Sequence, residues 1–212
     1  MQIDILTLFP EMFSGPFGFS IVKRATEKGL VTVNIHNLRN WSTDKYKSVD
    51  DHPYGGGPGM ILRVDIIDSA ISSIKNLKSR IILLDAAGER YTQSKSVQLS
   101  KVDQLIIICG HYEGVDHRVH EHLVDEVISI GDYVLSGGEI PAMVLVDSIT
   151  RLLPGALGNP ASLSEESFTE HRLPNTEYHQ YTRPEEYKGW KVPDVLLSGH
   201  HSEISKWKKS KR

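Results

Sequence analysis

Apolar residues follow two rhythms along this chain. In "IDILTLF", ended by Pro10, and again in "RIILL", "QLIIIC" and "EVISI", they stand in short β-branched runs, the pattern of strands covered on both faces. "VTVNIHNL" alternates instead, as a strand with one wetter face does. Elsewhere the spacing is helical: apolar residues stand at 66, 67, 70, 71, 74 and 77 between Asp65 and Leu77, and at 142, 145, 146, 149, 152 and 153 in "PAMVLVDSITRLL", where Pro141 is expected at the first helical position. "EMFSGPFGFSIVKRATEKGL" reads as a broken and then helical segment closed by Gly29.

Each of the three middle runs passes directly into a glycine-bearing turn, "DAAGER", "GHYEG" and "GDYVLSGGE", and helical pattern separates them. Strands alternating with helices predict an α/β domain with a mainly parallel sheet. In such a sheet the loops at the carboxyl ends of the strands lie on one side, so the three turns should converge on one crevice. Two stretches break the rhythm. From Arg39 to Arg63 the chain is polar and then glycine-rich, which is long for a loop in a compact domain and marks it as a candidate for function. From Ala156 to Arg172, "ALGNPASLSEESFTEHR" is poor in large apolar residues and reads as a linker or mobile loop. The remainder holds a proline-bounded entry and one helix from about Ser202, too short to bury a core of its own.

With 212 residues, 39% hydrophobic and 24% charged, the chain has material for one substantial core, and disorder over most of its length is excluded. A single cysteine cannot form an internal disulfide, the start lacks a basic and then apolar leader pattern, and no apolar run approaches a membrane span. A cytoplasmic protein with no membrane partner is expected. The net charge of -3 argues against a surface coated in cations for nucleic-acid binding, yet "KWKKSKR" gathers five cations in the last seven residues.

The chemistry of the loops is narrowed by elimination. The first strand meets "FPEMF", not a G-x-G-x-x-G turn, so a dinucleotide site fails, and no glycine loop contains G-x-x-x-x-G-K-[ST]. His111, His117, His120 and His122, with acids at 113, 116, 121, 125 and 126, are poorly spaced for two zinc ligands on one helix face. A helix from Asp116 with an apolar face of Val119, Leu123 and Val127 accounts for them better, its histidines turned to solvent or a partner. Cys109 ends an apolar strand and reads as a small buried hydrophobe, although His111 stands two residues away as a possible base for a thiol nucleophile. What is left is a site of backbone amides and carbonyls, small residues and tyrosine, suited to the adenosine of a neutral or zwitterionic cofactor more than to a polyphosphate.

Taken together, "CGHYEGVDHRV", "ISIGDYVLSGGEIPAMVLVDSITRLLPG" and "PYGGGPGM" resemble the TrmD family of bacterial tRNA (guanine-N1)-methyltransferases, of the SPOUT class, with the match running from Met1 to about Trp207. The resemblance implies an α/β fold of SPOUT type with a deep trefoil knot, a homodimer with active sites shared between subunits, S-adenosyl-L-methionine as methyl donor, and tRNA as substrate, methylated at N1 of guanine 37 where guanine 36 precedes it. Mg2+ stays open as a further cofactor, without a fixed protein site for it. The resemblance divides the chain into a methyltransferase domain over 1–158, a linker over 159–176, and a short C-terminal helical tRNA-binding domain over 177–212. The cofactor would lie on Leu84, on Gly110, Tyr112 and Glu113, on Ile130, Gly131, Asp132, Tyr133, Val134 and Leu135, and on Gly137 and Gly138. The target guanine would lie on Tyr54, Gly55, Gly56, Gly57, Gly59 and Met60, with Glu177 as a further acid. The family's catalytic acid falls on Glu166 of "ESF", where aspartate is frequent, and its catalytic arginine on Arg151. Three departures stand out: His111 where arginine is usual, alanine for proline in "DAAG", and a C-terminal domain that stops soon after it starts, from which weaker RNA binding is expected.

The residue types fit that chemistry. N1 of guanine is protonated at neutral pH and a poor nucleophile, so a carboxylate must take its proton, while charge growing on O6 is stabilised by an arginine. Plainer accounts exist for each: Arg151 pairing with Asp147 one turn earlier, and Glu165, Glu166 and Glu170 as a solvated loop surface. Two other functions share the features, namely methylation of a different RNA atom such as a ribose 2'-hydroxyl, and non-catalytic RNA binding.

Overall fold

The computed structural model describes residues 1–159, 168 and 178–210. It divides into two compact units, Met1–Gly158 and Asn159–Arg212. The first unit is built on five strands, β1 (Gln2–Thr7), β2 (Thr32–Asn37), β5 (Ser79–Arg90), β6 (Gln104–Cys109) and β7 (Glu126–Ser129), in the order β2-β1-β6-β5-β7. Every pairing among them is parallel, as the α/β pattern predicts. A ribbon of β3 (Asp50–Asp51) and β4 (Ile61–Leu62) closes the long polar segment.

The continuous apolar runs are explained by two cores, one on each face of the sheet. All six residues of β6 are buried. Leu105, Ile107 and Cys109 face one cluster with α2 (Ser20–Glu27) and α6 (Glu139–Thr150), while Ile106 and Ile108 face the other with α3 (Val64–Ile74) and α5 (His117–His122). Alternate side chains point to opposite faces, so a strand covered on both has no polar positions to spare. Truncating one such residue, Ile107→Ala for instance, removes about 2–5 kcal/mol of stability.

Four boundaries differ from those expected. The "DAAGER" turn is a bulge inside β5, not its end: Ile128 of β7 is paired with Leu84 and again with Glu89, so residues 85–88 loop out before pairing resumes. Gly88 permits this, because a Cβ there would lie 2.6 Å from the backbone N of Ile128. α6 begins at Glu139, which makes Pro141 its third residue, a position whose N–H has no helical partner to lose. α3 ends at Ile74, leaving Leu77 outside the helix and exposed. α5 ends at His122, so Val127 belongs to β7. His117 and His122 face solvent, but His120 turns inward, its Nε2 3.3 Å from Asp85.

One polar residue sits at the centre of β1. Asp4 is 1% exposed and accepts hydrogen bonds from Gln2, Asn34 and Gln104, with His36 Nε2 at 2.9 Å. Burial alone would raise its carboxyl, but the hydrogen bonds from Gln104, His36, Asn34 and Gln2 together outweigh burial and hold it below the ordinary carboxylate value. A carboxyl lowered on folding contributes stability above its unfolded value and loses it as pH falls through the folded one. Urea melts should therefore show an Asp4-dependent loss of stability setting in below about pH 4. Asp4→Ala strands the donors at neutral pH and costs about 3 kcal/mol there.

In the second unit, β8 (Glu186–Tyr187) and β9 (Trp190–Lys191) form a hairpin over Lys188 and Gly189, both at positive φ. A helical turn, Asp194–Leu197, and a helix, His201–Ser210, follow. Lys208 Nζ lies 4.4 Å from the centre of the Tyr178 ring, and Tyr181 packs on Trp207 with ring centres 6.4 Å apart. No helix among the described residues is long and apolar enough to cross a membrane.

Candidate functional site

β6 and β7 flank β5 in the sheet, and the loops that follow them are stitched together by backbone. Gly138 N–H donates to Gly110 O at 2.8 Å, and His111 and Gly137 form an antiparallel bridge. A Cβ on Gly138 would fall 2.6 Å from Cys109 Cα, so the close approach depends on its absence. The loop after β6 is tied on its other side to the glycine-rich segment. Glu113 N–H donates to Met60 O at 3.0 Å, and Leu62 N–H to Gly114 O at 3.0 Å. Tyr112 takes a positive φ of 59° at the turn.

These loops and the β5 bulge line one pocket. It is bounded by Leu84 to Ala86, Gly110 to Gly114, Ile128 to Gly131, Tyr133 to Gly138, and Pro141. The crevice expected from parallel-sheet geometry is thus present, at the carboxyl ends of β6 and β7 and at the bulge in β5. Among the described residues no lysine or arginine lines it, whereas Asp85 and Glu113 do. A polyphosphate would meet carboxylates and no counter-charge; a neutral or cationic ligand with an adenine-like ring meets Leu84, Ile128, Ile130 and backbone groups.

Of the residues assigned to a cofactor, Leu84, Gly110, Tyr112, Glu113, Ile130, Gly131, Tyr133, Val134, Leu135, Gly137 and Gly138 are brought to this pocket. Asp132 is not, its side chain being 89% exposed with Arg90 Nη1 at 3.5 Å. Tyr54 is fully exposed, and Gly55, Gly56 and Gly57 follow it in the open loop between β3 and β4. Gly59 and Met60, at the end of that loop, touch Glu113. Arg151 caps α6, its N–H donating to Asp147 O at 3.2 Å. Glu166 and Glu177 lie outside the described residues, as do Glu165 and Glu170.

Two neighbours of the pocket went unnoticed in the sequence. Glu139, the acid of "SGGE", is 2% exposed, and Thr7 Oγ1, at the end of β1, donates to its Oε1 at 2.7 Å. An acid after two glycines at a helix start reads as a helix-terminus charge, and only the fold shows it buried. Cys109 is fully buried, and burial first, then the nearby charge of Glu139, pushes its thiol well above the ordinary value. A thiolate is the nucleophilic form, so Cys109 has the wrong environment for covalent chemistry. Cys109→Ala is expected to leave kcat/KM within about twofold and to lower stability by about 1 kcal/mol, read from initial rates and a thermal melt. Among the described residues no group of three His, Cys, Asp or Glu side chains could hold a metal ion.

The chain was compared with known proteins. The family model described as tRNA (Guanine-1)-methyltransferase TrmD matches residues 1–212. A tRNA (guanine-N(1)-)-methyltransferase from Dictyoglomus turgidum is 53% identical over 209 residues, covering 99% of this chain and 84% of that protein. The enzyme of the same name from Bacillus pumilus is 53% identical over 212 residues, covering 99% and 86%, and that from Pelotomaculum thermopropionicum 51% identical over 213, covering 99% and 84%. A parallel α/β sheet with a backbone-lined pocket at its strand ends, and a family match over the whole length, lead to one conclusion: this chain belongs to the TrmD family of tRNA (guanine-N1)-methyltransferases.

Proposed function

We propose that this protein transfers the methyl group of S-adenosyl-L-methionine to N1 of guanine 37 in tRNA when guanine 36 precedes it. Family membership supports the reaction class, and the observation that carries the cofactor is the pocket. Its walls are backbone and apolar side chains, its charged lining residues are acids, and Gly137 and Gly138 let the loop backbones close up where a Cβ would collide with Glu139, His111 and Cys109. When bound, S-adenosylmethionine supplies a methyl group on a sulfonium. The chain's own task is to hold that group, orient the guanine and move one proton. Backbone groups of the 110–113 and 130–138 loops bind the adenosine and the donor's chain. Glu166 accepts the proton from guanine N1, Arg151 places its guanidinium at O6, and Glu177 with the Tyr54–Met60 segment holds the base.

The substrate's charge matches the charge asymmetry of the chain. Residues 178–212 carry eight Lys and Arg against four Asp and Glu, a surplus of four cations in a chain whose net charge is -3. That segment is the phosphate-contacting part. A homodimer with shared active sites completes the proposal. Val134, Ile140 and Val144 are 88%, 52% and 41% exposed on the pocket loop and α6, an apolar surface suited to a second copy. A direct test uses two tRNA transcripts that differ only in guanine or adenine at position 36. Methyl incorporation from labelled donor is expected in the first and at least about tenfold less in the second. Equal incorporation, or none in either, would overturn the assignment of the target.

A further inference from the structure

Three side chains under the pocket wall have no task in the reaction as proposed. Glu139 is buried at the first position of α6, with Thr7 Oγ1 donating to Oε1 at 2.7 Å. Its Oε2 faces His111, whose Nδ1 lies 3.8 Å away, buried and without a hydrogen-bond partner. Phe9 and Tyr112 flank the imidazole, with ring centres at 4.8 and 4.9 Å. Gly137 lies over the pair: a Cβ there would fall 2.4 Å from Glu139 Oε2 and 2.5 Å from His111 Nδ1. The carboxylate therefore stands one glycine backbone behind the pocket, since Gly137 is part of the lining.

The charge balance of this arrangement is unusual. Among the described residues that line the pocket, His111 is the one with a basic side chain, while Asp85 and Glu113 line it as well and Glu139 stands behind it. Away from water a fixed charge acts strongly on a charged ligand. Methyl transfer converts a sulfonium into a neutral thioether, so donor and product differ by one positive charge. Resting on the methyl-donor reading, we infer that Glu139 and His111 set the pocket's preference for the sulfonium over the thioether, with protonation of His111 as the switch. A neutral His111 leaves Glu139 unopposed and favours the sulfonium. A protonated His111 neutralises Glu139 and lowers the preference. By linkage, binding of the sulfonium expels a proton from His111.

Other titratable groups around the pair can be separated from it. Cys109 from β6 stays a thiol, its ionisation pushed well up, and the Tyr112 ring packs edge-on against the imidazole. His120 is a second imidazole beside a lining residue, Asp85, and serves as a control.

The test is calorimetric titration of the full chain with S-adenosylmethionine and with S-adenosylhomocysteine across the range where imidazoles titrate. The ratio of the two Kd values, thioether over sulfonium, is expected to rise about three- to tenfold from the acid to the alkaline end, in the wild type and in His120→Gln alike. His111→Gln should hold the high ratio at every pH. His111→Arg, a fixed cation, should hold the low one, and Glu139→Gln should lower the ratio at the alkaline end. A flat wild-type ratio, or a pH dependence that survives in His111→Gln, would overturn the inference. Failure of both ligands to bind the folded wild type would instead remove the methyl-donor reading, and this inference with it.

Discussion

Glu166→Gln is expected to lower kcat for tRNA methylation by about 10²–10⁴-fold while the Kd for S-adenosylmethionine stays within about twofold. The substitution keeps the volume and removes the proposed base. Guanine N1 holds its proton at neutral pH, so without an acceptor the ring nitrogen has no free pair to offer. The size of the effect follows from what a positioned general base contributes, and its confinement to kcat follows from the role: the acceptor matters most in the transition state. Single-turnover rates and a binding titration separate the two quantities. Turnover near wild type would move the base to Glu177 or Glu165.

The second large effect is structural. Gly138→Ala is expected to raise the Kd for S-adenosylmethionine at least tenfold, with about 1–3 kcal/mol of lost stability. Gly138 has φ -80° and ψ -3°, which alanine adopts freely, so backbone strain contributes nothing. The obstacle is contact: the new methyl would meet Cys109 Cα at 2.6 Å, Gly110 N at 3.0 Å and Cys109 C at 3.1 Å, all of them backbone. Relief requires the loops after β6 and β7 to separate, which breaks the 2.8 Å bond from Gly138 N–H to Gly110 O and opens the pocket between them. Gly15→Ala is the control, since nothing lies within 4 Å of its Cβ position, and both affinity and melting temperature should stay near wild type.

What the sequence disclosed about this fold is what local pattern can encode. The β-branched runs of β5, β6 and β7 and the helical spacing of α3 and α6 gave the parallel α/β sheet, and parallel-sheet geometry alone predicted one crevice at the strand ends. The bulge in β5 was illegible because Gly88 signals a turn, and only the double pairing of Ile128 makes it part of a strand. Asp4 looks out of place in an apolar run, its role depending on Gln104 a hundred residues away. The Thr7–Glu139 bond spans 132 positions, and no spacing rule links them. A crowded stretch such as "ICGHYEGVDHR" misdirects for the opposite reason. Its conspicuous side chains suggest metal or thiol chemistry, whereas the fold uses Gly110 and the Tyr112 turn for the pocket and buries Cys109 as packing. His111 gains a place through its neighbours in the fold, Glu139, Phe9 and Gly137 among them.

The central claim is the identity of the methylated atom. Unmodified tRNA carrying guanine at positions 36 and 37 is incubated with the protein and S-adenosylmethionine, digested to nucleosides and resolved by mass spectrometry. 1-Methylguanosine is the expected product, one per tRNA, traced to position 37. A 2'-O-methylated nucleoside, or unmodified tRNA after incubation with folded protein that binds the donor, would contradict it.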